Sequence, residues 1–160
     1  MSEFLPHTEY PFLQPFVDEW EEIRNEFLQI SHDLRMYPLS KVHNNSWLLY
    51  HMVWTEKWLD EKKSTVPITA RLIEQVPGLW SAAFSVLDSG CIIKPHTGVT
   101  SEVLRAHLGL ICPKGPWIKV EGELYNWKEG EMIVFDDNKR HEAANPSDQR
   151  RVIFMKDFKK

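Results

Sequence analysis

Cysteine is scarce in this chain of 160 residues, which has only Cys91 and Cys112. Two are too few and too unpatterned for a disulfide framework or a zinc site, and both lie in apolar runs, so reduced, buried thiols are expected. Long apolar runs are missing as well. No stretch approaches the roughly 20 apolar residues that cross a bilayer, and Met1-Ser2-Glu3-Phe4 lacks the basic and apolar regions of an export signal. Positive charge is not in excess either: 19 Lys and Arg face 23 Asp and Glu, for a formal charge of −4. That balance supplies no general field for gripping phosphates, so nucleic acid is not an expected partner. Internal repeats, linkers and low-complexity segments are absent. What remains is an ordinary composition, 42% hydrophobic and 26% charged, long enough to close a core. The expectation is one cytoplasmic domain over residues 1–160.

The chain changes texture near Trp80. Before it, Phe12, Phe16, Trp20, Ile23, Phe27 and Ile30 recur at three and four, the stripe of an amphipathic helix. Trp47 to Trp54 reads as a strand, and a shorter helix is expected from Pro67 to Gln75, ended by Pro77-Gly78. After it come short strands: Ala82–Leu87, Cys91–Lys94, Val103–Cys112, Trp117–Val120, Met132–Phe135 and Arg151–Phe158. Short strands at this spacing behind a helical preface predict a mainly β fold with some α, a double-sheet jelly roll. The preface and first strands take residues 1–79, and the jelly-roll core takes 80–158.

Three residues carry the chemistry. His96 opens Pro95-His96-Thr97-Gly98, His141 follows the polar turn Asp136-Asp137-Asn138, and Arg151 leads the last apolar run. Two imidazoles suit Fe(II), which in oxygenases keeps positions open for a cosubstrate and O2. An arginine at the base of a strand suits the distal carboxylate of a dicarboxylate such as 2-oxoglutarate. The carboxylate ligand that usually stands two residues after the first histidine is missing, and Gly98 occupies its place. Taken singly, each histidine also reads as a surface residue in a turn; a jelly roll is what brings such positions together. Arg150 competes with Arg151, because successive strand residues face opposite sides and the apolar run does not decide between them. Arg105 and His107 share one face of their strand, either as donors to an anion in the cavity or as the wet face of an edge strand. Asp136 and Asp137 are either turn acids or groups that orient a histidine. The seven tryptophans are expected in the core and cavity walls.

These residues, with Arg105-Ala106-His107-Leu108-Gly109-Leu110, Trp127-Lys128-Glu129-Gly130 and Phe135-Asp136-Asp137, resemble the aspartyl/asparaginyl β-hydroxylase family of Fe(II)/2-oxoglutarate-dependent oxygenases. The resemblance implies a double-stranded β-helix, cupin-like, with the N-terminal helices packed on its outer sheet. It implies that His96 and His141 alone bind Fe(II), and that Arg151 and Ser85 hold the distal carboxylate of 2-oxoglutarate. Arg105 and His107 would contact the substrate carboxylate or the metal-proximal end of the cosubstrate. Where some members carry a further arginine two positions before Arg105, this chain has Val103.

The expected activity is hydroxylation of an unactivated C–H bond with release of succinate and CO2. The expected substrate is anionic, such as an aspartyl, asparaginyl or other amino-acid residue, whether free, peptidyl or carrier-bound; the alternative is a lipid or acyl group. A halogenase on the same site, a non-redox cupin-type isomerase and a binding protein are the competing classes.

Overall fold

The apolar stripe of the first 30 residues folds as helix, but not as one. In the computed structural model α1 (Gln14–Asp18) ends at Glu19, whose backbone leaves the helical region, and α2 (Trp20–Ile30) restarts after it. The stripe survives the break, since Phe16, Ile23, Phe27 and Ile30 are all buried. The structure describes every residue except Leu39 and the side chains of Ser40 and Asp60. In chain order the elements are β1 (Leu5–Pro6), α1, α2, β2 (Arg35–Met36), β3 (Trp47–Trp54), β4 (Lys57–Trp58), α3 (Asp60–Lys63) and α4 (Pro67–Ile73). Then follow β5 (Leu79–Leu87), β6 (Ile92–His96), β7 (Val103–Ile111), β8 (Trp117–Val120), β9 (Glu123–Tyr125), β10 (Met132–Asp136), β11 (His141–Ala144) and β12 (Arg151–Lys159). No helix among the described residues is long and apolar enough to cross a membrane.

The strands form two sheets, as expected of a jelly roll. The larger runs β1-β10-β7-β12-β5-β3-β2 with β4 beside β3, and the smaller runs β6-β11-β8-β9. Every pairing between these strands is antiparallel. Helices α1 and α2 cover the outer face of the large sheet, where Phe16, Ile23 and Phe27 pack with Phe84, Leu108 and Phe154. The inner face meets the small sheet through Leu49, Ala83, Ile153 and Met155 against Ile93, Ile118 and Val120. Glu26 ties the helices together: its carboxylate accepts from the Ile68 and Thr69 amides and the Thr69 hydroxyl at 2.6–2.8 Å.

Burial on both faces explains the unbroken apolar run of β12. Val152, Phe154 and Phe158 point to the helices, while Arg151, Ile153, Met155 and Asp157 point between the sheets. Five strands escaped the sequence reading: β1, β2 and β4, of two residues each, and β9 and β11. β9 is three residues long, and β11 is His-Glu-Ala-Ala, without a β-branched residue; pairing with β6 and β8 on its two sides holds it extended. His141 is therefore the first residue of a strand rather than part of a loop. Of the two thiols, Cys91 is buried as expected, whereas Cys112 is half-buried.

The helix-facing side of β12 contains one polar intruder. Lys156 is fully buried, its Nζ 4.4 Å from the Phe16 ring centre, 4.8 Å from that of Phe154 and 3.6 Å from the Met132 sulfur. No carboxylate contacts Nζ among the described residues, and burial pulls its pKa from 10.5 down to about 7. A lysine whose folded pKa is depressed leaves the unfolded chain binding the extra proton between those two values, so stability rises with pH across that window. Lys156→Met, which keeps the volume and removes the buried amine, is expected to be more stable than the parent at pH 7 by on the order of 2 kcal/mol. It should also flatten the rise between pH 7 and 10. Urea unfolding followed across pH checks both; a Met variant less stable at pH 7 would show that the amine is a net stabiliser.

Candidate functional site

His96 ends β6 and His141 begins β11, and the antiparallel register sets them directly opposite each other. Their ring centres lie 4.4 Å apart. Each Nδ1 is 2.7 Å from a backbone carbonyl, Lys94 for His96 and Lys139 for His141. A carbonyl only accepts, so each Nδ1 carries the proton and each Nε2 is left bare, the tautomer a metal ligand needs. Burial lowers both pKa values, that of His141 to about 4. The pair is thus neutral at physiological pH and ready to bind a cation.

The space beside the pair where a residue-98 side chain would project is already filled. A Cβ built on Gly98 would lie 1.8 Å from Asp137 Oδ2 and 2.5 Å from its Cγ. The Gly98 amide also donates to the Asp137 carbonyl at 2.7 Å. Asp137 Oδ1 sits 3.5 Å from His141 Nε2. Of the two turn acids, Asp137 is buried and belongs to the site; Asp136 is partly exposed and pairs with Lys160. Among the described residues no group of three or more His, Cys, Asp and Glu side chains is placed to hold a metal ion.

Arg151 lies on the floor of a narrow chamber between the sheets, which it shares with His96, His141, His107, Ser85 and Trp127. It is 2% exposed, and its guanidinium lies 4.3 Å under the Trp127 ring. One terminal nitrogen donates to Ser85 Oγ at 3.0 Å and to the Ser85 carbonyl at 3.1 Å, while Nε has no partner. Burial works against its charge and brings the pKa down to about 9, still protonated at neutral pH. Ser85 Oγ also accepts from Trp47 Nε1 at 2.9 Å, so its own proton remains free to donate. Arg150 points outward and pairs with Asp88, which decides between the two arginines.

His107 and Arg105 both face between the sheets, as the alternation required. Trp127 Nε1 donates to His107 Nδ1 at 3.2 Å, leaving Nε2–H buried in the chamber without a partner. Arg105 differs. It stands opposite Asp157 on β12, and its Nε and one terminal nitrogen meet the two Asp157 oxygens at 2.7 and 2.8 Å. The other terminal nitrogen is 2.9 Å from Asp137 Oδ1. Asp157 is a site residue that sequence reasoning missed; its signal was an acid inside the apolar run of β12.

The fold is a jelly roll whose interior sets two facing imidazoles above a buried arginine. The large-scale likeness agrees: a Pseudomonas putida prolyl-4-hydroxylase structure covers 100% of this chain and 90% of its own, with 13% identity and a TM-score of 0.58. A cupin domain of an Enterobacter cloacae transcriptional regulator covers 72% of this chain and 98% of its own, with 13% identity and a TM-score of 0.50. Sequence is more specific. The aspartyl/asparaginyl beta-hydroxylase family profile matches residues 17–160, and the chain belongs to that family. It is 39% identical over 97 residues to an ornithine lipid ester-linked acyl 2-hydroxylase of Rhizobium tropici, covering 59% of this chain and 34% of the relative. It is 30% identical over 149 residues to the human aspartyl/asparaginyl beta-hydroxylase, covering 86% of this chain and 20% of the relative. The chain thus spans about a third and a fifth of those relatives.

Because Asp137 fills the place of a side chain at position 98, the two positions should be energetically coupled. Gly98→Ala is expected to lower stability by about 2–4 kcal/mol. In an Asp137→Ala background the same substitution should cost at least ~1 kcal/mol less, since the clashing carboxylate is gone. Urea unfolding of the four proteins in this cycle measures the coupling. Simple additivity would mean that residue 98 does not meet that carboxylate.

Proposed function

We propose that the chain is an Fe(II)/2-oxoglutarate-dependent dioxygenase that hydroxylates a C–H bond and releases succinate and CO2. The observation that carries this reading is Arg151, a buried guanidinium with no counter-anion among the described residues, on the floor of the chamber that His96 and His141 line. A buried unpaired cation is costly, and a dicarboxylate bound with one end on it removes that cost.

The residues fit both groups. His96 and His141 hold the metal through their bare Nε2 atoms, and no proton need leave either ring. Arg151 and the free Ser85 hydroxyl grip the distal carboxylate, while Trp127 covers the guanidinium and excludes water. His107 donates its Nε2–H to the cosubstrate within the same chamber. When bound, the iron and the 2-oxo acid supply O2 activation and the oxidising equivalents for hydroxylation. The protein's own contribution is orientation and a dry, charged cradle; no side chain acts as a nucleophile. The names of the relatives offer two substrate classes, a peptidyl aspartyl or asparaginyl residue and a lipid acyl chain.

Anaerobic titration of the protein with Fe(II) and then 2-oxoglutarate, read by the visible charge-transfer band and by calorimetry, tests the assignment. Arg151→Met should weaken 2-oxoglutarate binding by roughly 100-fold with Fe(II) binding intact, and Arg150→Met should leave both unchanged. His141→Ala should lose Fe(II) binding and succinate formation together. Undiminished 2-oxoglutarate affinity in Arg151→Met would sink the cosubstrate assignment.

A further inference from the structure

Beyond His96 the site opens into a second, outer cavity of about 280 Å³. His96, Arg105 and Met155 line both spaces, so whatever fills the outer cavity lies beside the histidine pair. Its walls are mostly apolar, built from Tyr37, Trp54, Trp80, Val42 and Val99. Trp54 is 47% exposed and Val99 80% exposed, so the apolar lining continues out to the surface at the mouth.

The charged groups lining this cavity, Arg105 with Asp137 and Asp157, sum to a net negative charge. Arg105 is its one cation among the described residues, and each of its three nitrogens lies 2.7–2.9 Å from a carboxylate oxygen of Asp157 or Asp137. Two residues before it on the same strand, Val103 supplies no second cation. An anionic side chain entering here would lose its water, meet two carboxylates and find no free positive partner. Of the polar groups left over, which include the hydroxyls of Tyr37, Thr55 and Thr97, His51 packs edge-on against Trp54 at 4.7 Å and has no hydrogen-bond partner among the described residues. Burial keeps its imidazole neutral at physiological pH, with a pKa lowered to about 4.

We infer that the outer cavity takes the uncharged carbon chain of an acyl ester or amide, with His51 donating to its carbonyl oxygen, and that it excludes an aspartyl carboxylate. Arg105 then is a positioning residue that holds Asp137 and Asp157, not a receptor for substrate charge. The inference rests on the proposed hydroxylase only in taking the group in this cavity to be the one that reacts.

The test is binding, followed by calorimetry and tryptophan fluorescence, with and without Mn(II) and 2-oxoglutarate. Three probes are compared: a soluble N-octanoyl amino-acid methyl ester, phosphatidylcholine vesicles, and a capped Ala-Asp-Ala peptide. Saturable binding of the octanoyl ester is expected, with affinity falling about tenfold in Trp54→Asp and in Val99→Asp. Both positions are exposed, so the variants should keep the parent's circular dichroism. His51→Phe should weaken the ester more than a matching alkane. Vesicle binding lost in the same variants would assign a lipid as the source of the chain, and its absence a soluble acyl compound; the ester result supports the inference in either case. Tighter binding of the aspartyl peptide, or ester affinity indifferent to both aspartate variants, overturns it. Binding in the metal-free protein stands whatever Arg151→Met shows, so the two readings fail separately.

Discussion

The histidine end of this fold depends on one buried cross-strand ion pair. Asp157 on β12 stands opposite Arg105 on β7 and holds it bidentately, which fixes the guanidinium in two directions. The nitrogen left over reaches Asp137, and Asp137 in turn occupies the space over Gly98 beside His141. Arg105 thus transmits the order of the large sheet to a turn that has no regular structure of its own. Removing Arg105 would leave two buried carboxylates uncompensated, which in a two-sided interior costs far more than a surface pair is worth.

Two arginines between the same sheets have opposite fates, and the contrast divides the cavity. Arg105 is saturated by carboxylates, whereas Arg151 meets a serine, an indole face and empty acceptor directions. Identical side chains therefore make one end of the interior electrically closed and the other receptive to an anion. Electrostatic demand in the chamber is concentrated at Arg151 and His107, and the outer cavity is left to shape and apolar contact.

Much of this was legible before the fold was known, and the exceptions have physical causes. His96, His141 and Arg151 stood out because polar residues at the edges of apolar runs are informative in a jelly roll. The choice between Arg150 and Arg151 was not legible, since Val152 to Met155 is apolar on both faces and hides the alternation. Asp157 was missed for the same reason: a single acid in a buried strand has meaning only once its partner across the sheet is known. Asp137 could not be told from Asp136 by spacing alone, because a turn decides which carboxylate points inward. The helix break at Glu19 lies below what an apolar stripe can report, as the stripe continues through it.

The missing carboxylate after His96 takes on a different meaning in this setting. A side chain at position 98 and the Asp137 carboxylate compete for one volume, and only a residue without Cβ lets Asp137 have it. The acid has not vanished from the neighbourhood of the histidines; it comes from another turn and is tethered to Arg105 rather than free to swing onto a metal. A tethered carboxylate can orient water or a ligand beside the two histidines without itself reaching what they would hold. The glycine is therefore a requirement of the acid's location, and the ion pair with Arg105 is what restrains Asp137 beside the two histidines.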